Sequence, residues 1–130
     1  MIAVDTNVVV RYLVEDYVAQ TDRAEVVLRS GEVLVGKTVL LETEWVLRGR
    51  YRFDPAAIGR GLRQLLGLPG VAVEDPAAVA QALDLHDHGF DFADALHLAS
   101  GRQAEAFATF DQALRRRARR VPDLMRVVAP

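Results

Sequence analysis

The sequence predicts an α/β domain built on a parallel sheet, and three observations carry that prediction. Short apolar runs recur along the chain, amphipathic segments of helical length separate them, and aspartate-proline pairs or glycines punctuate the segment ends. With 130 residues, 51% apolar and 26% charged, the chain is expected to form a single domain around one core.

The elements follow in order. Ile2 to Val4 reads as a buried strand ending at Asp5, and helical spacing then runs from Asn7 to Val14 and from Ala19 to Arg29. Gly31 stops the second helix, and Val33 to Val35 forms the next strand, ending at Gly36. A helix spans Thr38 to Arg48. Asp54-Pro55 and Asp75-Pro76 each set a capping acid before a proline at the first helical position. They open helices to Leu66 and Asp87, which Gly67 and Gly89 close, with a strand at Val71 to Val73 between them. Phe92 to Gln103 and Gln112 to Arg119 are the last helices, Ala106 to Phe110 is a strand, and Met125 to Val128 is a strand at the edge. Four to five strands thus make a central parallel sheet flanked by helices, with right-handed crossovers. Ligands of such folds collect at the carboxyl ends of the strands.

Composition narrows the chemistry. The chain has no cysteine, so thiolate catalysis, disulfides and cysteine-held zinc are excluded, and no apolar run is long enough to span a bilayer. A cytoplasmic protein is expected. The net charge of −2 says little about partners, but of 16 basic residues only Lys37 is lysine. The arginines gather at Arg48, Arg50 and Arg52 and again at Arg115, Arg116, Arg117, Arg119 and Arg120, where planar forks can hold phosphate or merely form a solvated helix face.

Four acids stand out by position. Asp5 and Asp111 sit where strands give way to helices, and either can cap the helix that follows. Asp91 and Asp94 have the spacing of a capping box; the cap is assigned to Asp91, which leaves Asp94 one turn inside the helix and facing the strand edge. His97 shares a face with Asp94 and is read as a partly buried packing or hydrogen-bonding histidine. Glu44 pairs with Arg48 at i+4 as a surface ion pair, whereas Glu42 has Val39, Trp45 and Val46 as helical neighbours and no base. On that apolar face its carboxylate needs a partner from elsewhere. At about 4 Å and an effective dielectric near 20, two carboxylates repel by roughly 4 kcal/mol, so acids that converge call for a cation. His86 and His88 are two apart beside Gly89 and are read as a frayed, exposed helix end rather than a metal site.

These residues are carried by stretches that resemble a known family. Met-Ile-Ala-Val-Asp-Thr-Asn at the N-terminus, Val-Leu-Leu-Glu-Thr-Glu-Trp around Glu42, Asp-Phe-Ala-Asp-Ala-Leu-His around Asp94, and Ala-Thr-Phe-Asp ending at Asp111 together resemble the PIN-domain family, and in particular VapC-type toxins of toxin-antitoxin pairs. The resemblance implies that Asp5, Glu42, Asp94 and Asp111 form an acidic quartet holding Mg²⁺ or Mn²⁺ for hydrolysis of RNA phosphodiesters, with Asp111 acting through water. It further implies a homodimer and a cognate antitoxin. Thr6, Asn7 and Thr109 lie beside the acids and are expected to hold ligands or waters; Arg115, Arg116 and Arg117 are candidates for substrate phosphate. Lys37-Thr38 stands where relatives often carry a small hydroxyl residue.

Two other readings remain at the level of sequence. A receiver- or dehalogenase-like phosphotransfer domain also places acids at strand ends, but needs a lysine late in the chain, and the only lysine here is Lys37. A non-enzymatic α/β binding module would use the acids only as helix caps.

Overall fold

A computed structural model describes residues 1–130 as two compact units, residues 1–76 and residues 77–130. The first contains β1 (Ile2–Ala3), α1 (Thr6–Val14), α2 (Val18–Leu28), β2 (Val33–Val35), α3 (Lys37–Gly49), α4 (Pro55–Leu66) and β3 (Val71–Val73). Its strands form one parallel sheet in the order β1-β2-β3, with Ile2 opposite Val33 and Val33 opposite Val71. Each crossover carries two helices, as parallel pairing requires a long connection.

The residues of this unit bury themselves in the expected periods. Val33 and Val35 alternate inward on β2, while Leu40, Thr43, Glu44 and Leu47 form the buried stripe of α3 and Ile58, Leu62 and Leu65 that of α4. Asp54 caps α4 by accepting from the Ala57 amide at 2.7 Å, with Pro55 at the first helical position. Arg11 ties the unit together: its guanidinium donates to Gln20 at 2.6 Å, Asp16 at 3.0 Å and the Tyr51 hydroxyl at 3.2 Å, and its carbonyl accepts from Thr21. The Tyr51 bond foremost, then Asp16, favours the charged guanidinium against its partial desolvation.

The second unit holds α5 (Pro76–Asp87, whose first residue belongs to the first unit), α6 (Phe92–Ser100), β4 (Ala106–Ala108), α7 (Gln112–Ala118) and β5 (Arg126–Val128). Here β4 and β5 form a parallel pair, with Phe107 opposite Val127. Phe92, Ala95, Leu98 and Ala99 make the buried stripe of α6.

The α/β class, the parallel pairing and all five strands agree with expectation; what differs is the sheet, which is a three-stranded and a two-stranded ladder instead of one. Strands of two or three residues make few ladder bonds, and the pairings that form lie within each unit. One local reading also needs correction. His86 is buried, not frayed: it continues the Val79, Ala82, Leu83 stripe of α5 and meets Phe92 edge-on at 5.6 Å. Gly67 closes α4 as expected, in the right-handed region, while Gly31 and Gly89 adopt positive φ.

Gly70 shows where glycine is obligatory. It sits at φ +81° with the Gly31 carbonyl where a β-carbon would go, and its own carbonyl accepts from Val33. Gly49, exposed in the last turn of α3, has only open space around the same position. Gly70→Ala should therefore lower stability by about 1–3 kcal/mol, and Gly49→Ala should raise it by about 0.5–1 kcal/mol, as read from urea midpoints. Equal effects of the two changes would contradict this backbone assignment.

Candidate active site

Asp5 follows β1 and begins α1. Its backbone is extended, and one carboxylate oxygen accepts from the Val8 amide at 3.2 Å, so it is an N-cap. Asp5 also lines a cleft of about 500 Å³ together with Asn7, Arg11, Gln20 and Arg23. Asn7 and Arg23 are exposed, while Thr6 is buried at the start of α1.

Glu42 and Glu44 exchange the places that the sequence suggests. Glu44 is only 2% exposed and accepts from Arg48 at 2.8 Å, while Glu42 is exposed, as is Trp45 beside it. The reason is the phase of α3: the stripe Leu40, Thr43, Glu44, Leu47 points inward, and an Arg48 within reach lets a carboxylate be buried in it. Glu42 thus needs no partner to offset burial, and its carboxylate is open to solvent and solutes.

Residues that sequence reasoning missed fix the start of α3. Gly36, the N-cap, has no side chain, and Glu74 at the end of β3 reaches across to accept from the Lys37 amide at 2.9 Å. Asp75 receives the Lys37 ammonium at 3.1 Å. The signal was present in two acids at a strand end and a lone lysine after the neighbouring strand. With Lys37 occupied in this way, the phosphotransfer reading loses its only candidate lysine.

In the second unit Asp91 caps α6, accepting from the Asp94 amide at 3.1 Å, as the spacing predicts. Asp94 is half-buried one turn in. Burial first, then the charges of Asp91 and Asp111, push its carboxyl above the ordinary aspartate range, against an opposing effect of His97. His97 itself is exposed, not partly buried, on the polar side of α6. Asp111 caps α7 by accepting from Leu114 at 3.0 Å, and its own amide donates to Thr109 Oγ1 at 3.1 Å. Thr109 is held in turn, its amide on the Val128 carbonyl and its carbonyl accepting from Arg115 at 2.7 Å.

The arginine trio on α7 divides. Arg115 is spent on Thr109; Arg117 donates to the Gly89 carbonyl and lies over the Phe90 ring; Arg116 is exposed without such a partner. Arg115 and Arg117, candidates for phosphate, therefore also carry structural duties, each bonded to a backbone carbonyl, although Arg117 remains exposed.

The sequence profile of the PIN domain matches residues 2–120. The chain belongs to the PIN-domain family. Members of this family are generally metal-dependent nucleases, and the match runs through the segments that hold Asp5, Glu42, Asp94 and Asp111. Among curated proteins none matches this PIN chain. No helix is long and apolar enough to cross a membrane.

The donor set fits the ions that PIN nucleases generally use. Mg²⁺ favours oxygen ligands and commonly takes one or two carboxylates, keeping water elsewhere. Neither unit gathers three His, Asp or Glu side chains closely enough to hold an ion by themselves. Each contributes carboxylate oxygens without a basic partner: the free oxygen of Asp5 and the exposed Glu42 in one, Asp94 beside Asp111 in the other.

Two outcomes follow for the metal-free protein. Asp94 has a raised folded pKa, so the stability associated with its neutral form is full below the unfolded value of about 3.9 and is lost as pH rises through the folded one. Asp94→Asn should consequently melt higher than wild type at pH 7, with the gap closing toward pH 3; a gap constant with pH would refute the charge repulsion. Asp5→Asn should keep the cap of α1 and change stability little, whereas Asp5→Ala should cost about 1 kcal/mol by thermal melt. Similar losses in both variants would show that Asp5 does more than cap the backbone.

Proposed function

We propose that this PIN chain is a divalent-metal-dependent endoribonuclease, the toxin component of a VapC-type toxin-antitoxin pair, acting as a homodimer in the cytoplasm. The observation that carries the reading is Asp94, a half-buried carboxylate whose charge is opposed by burial and by Asp91 and Asp111, with no basic side chain bonded to it. A fold does not gain stability from such an arrangement. It is explained by a cation, and the family's general chemistry supplies one.

Asp5 and Asp94 are the foremost metal ligands in this reading, Glu42 the next, and Asp111 contributes through water. Mg²⁺ or Mn²⁺, when bound, lowers the pKa of a water and offsets charge on the phosphate. Asp5 is rigidly aimed because its second oxygen is tied to Val8. Asp111 is held from both sides, by its cap on Leu114 and by the Thr109 hydroxyl, which accepts its amide. Glu42 projects from a helix whose start is pinned by Glu74 and Asp75, and its solvent exposure suits a ligand that meets a hydrated ion. Arg23, exposed beside the cleft of Asp5, is placed to meet a phosphate, and Arg116 is the member of the α7 trio left for that task. RNA is the substrate, and an antitoxin protein masks the acids.

The purified protein should cleave single-stranded RNA in Mg²⁺ or Mn²⁺, lose activity on chelation, and fall by at least about a hundredfold in Asp5→Asn and Asp94→Asn, variants that keep the fold. Mn²⁺ should also raise the melting temperature of wild type more than that of Asp94→Asn. Full RNA cleavage by folded Asp5→Asn in the presence of chelator would rule this function out.

A further inference from the structure

The lone tryptophan of the chain, Trp45, stands 64% exposed on α3. A large indole in solvent forgoes apolar burial worth about 2 kcal/mol elsewhere in a fold, and a helix with a free inward face would ordinarily take it. Around it is a groove of about 460 Å³ lined by Asn7, Val10, Arg11, Trp45, Arg50 and Tyr51, within the size range of small-ligand clefts.

Three features give that groove a chemical character. Arg50 is exposed, lies 5.9 Å from the Tyr51 ring and has no carboxylate partner. Gly49, one turn beyond Trp45, leaves open space where any other residue would set a side chain, at a cost in helix stability. The groove also adjoins the cleft of Asp5, since Asn7 and Arg11 line both. An exposed aromatic face, an unneutralised guanidinium and residues shared with the cleft of Asp5, where Arg11 and Arg23 outnumber the one acid, match what a single-stranded nucleic acid presents: a flat base on an anionic backbone. An apolar peptide would leave Arg50 unpaired, and a duplex would hide its bases from the indole.

We infer that the Trp45 groove is a nucleobase subsite, in which an unpaired base of the RNA strand stacks on the indole while Arg50 holds an adjacent phosphate. This rests on the ribonuclease reading and adds to it the place where an unpaired base is held. The subsite binds and positions, and Trp45 has no part in bond cleavage.

Because Trp45 is the sole tryptophan, its emission reports the groove directly. Wild type in EDTA is titrated with a fluorescently labelled oligouridylate of eight nucleotides and with an abasic ribose-phosphate oligomer of equal charge, following both tryptophan emission and the anisotropy of the label. Oligouridylate should quench the emission and the abasic oligomer should not. Trp45→Leu should bind the oligonucleotide about tenfold or more weakly, Trp45→Phe should remain near wild type, and Arg50→Gln should flatten the salt dependence. Anisotropy that rises with unchanged emission, or equal binding by Trp45→Leu, would overturn the subsite while leaving the nuclease reading standing. Emission that shifts with protein concentration alone would overturn it in favour of an interface between copies. Absence of any RNA binding would overturn the subsite, and RNA cleavage measured separately would show whether the nuclease reading falls with it.

Discussion

A carboxylate has two oxygens, and the way this chain starts its helices uses only one of them. At Asp5 and Asp111 the backbone leaves an extended conformation and turns helical, and the first free amides of the helix need an acceptor. One oxygen satisfies Val8 or Leu114, and the bond fixes the side chain so that the other oxygen has a defined direction. Capping and metal binding are therefore compatible duties of one residue. The same local chemistry that makes the turn also restrains the carboxylate.

Asp91 and Asp94 divide those duties. Asp91 takes the cap and stays exposed, and Asp94, one turn along, is half-buried with its charge opposed from both neighbours. A group kept in that state raises the energy of the metal-free protein and makes a cation's arrival more favourable by the same amount. Elsewhere acids have partners: Glu44 is buried on Arg48, the exposed Glu74 accepts from the amide of Lys37, and Asp75 pairs with its ammonium. Glu44 and Asp75 are thus paired with bases, while the acids of the candidate site have none bonded to them.

The face of α3 shows how the two classes are separated. Its phase turns Glu44 inward and Glu42 and Trp45 outward, so one helix supplies a neutralised structural acid, an open carboxylate and an exposed aromatic surface. Arg11 makes the ground for this by joining α1, α2 and the segment after α3 through Gln20, Asp16 and Tyr51. That guanidinium lies in the lining of both clefts.

Period and punctuation alone determined the elements: the apolar runs, the Asp54-Pro55 start and the Asp91 cap all lie where local propensity sets them, because their partners are within four residues. The four acids were legible too, since position at a strand end and order along the chain are sequence properties. What only tertiary structure decided was the inward face of each helix and the partner of each charge. Glu44 rather than Glu42 is buried, and His86 packs on Phe92, because burial is settled by what another element presents and not by a residue's neighbours in the chain. Glu74 reaching the Lys37 amide and Arg115 closing on Thr109 are contacts across 37 and 6 residues, respectively, that spacing cannot reveal. The division of the strands into two ladders belongs to the same class, since short strands carry too little local information to fix which edge they join.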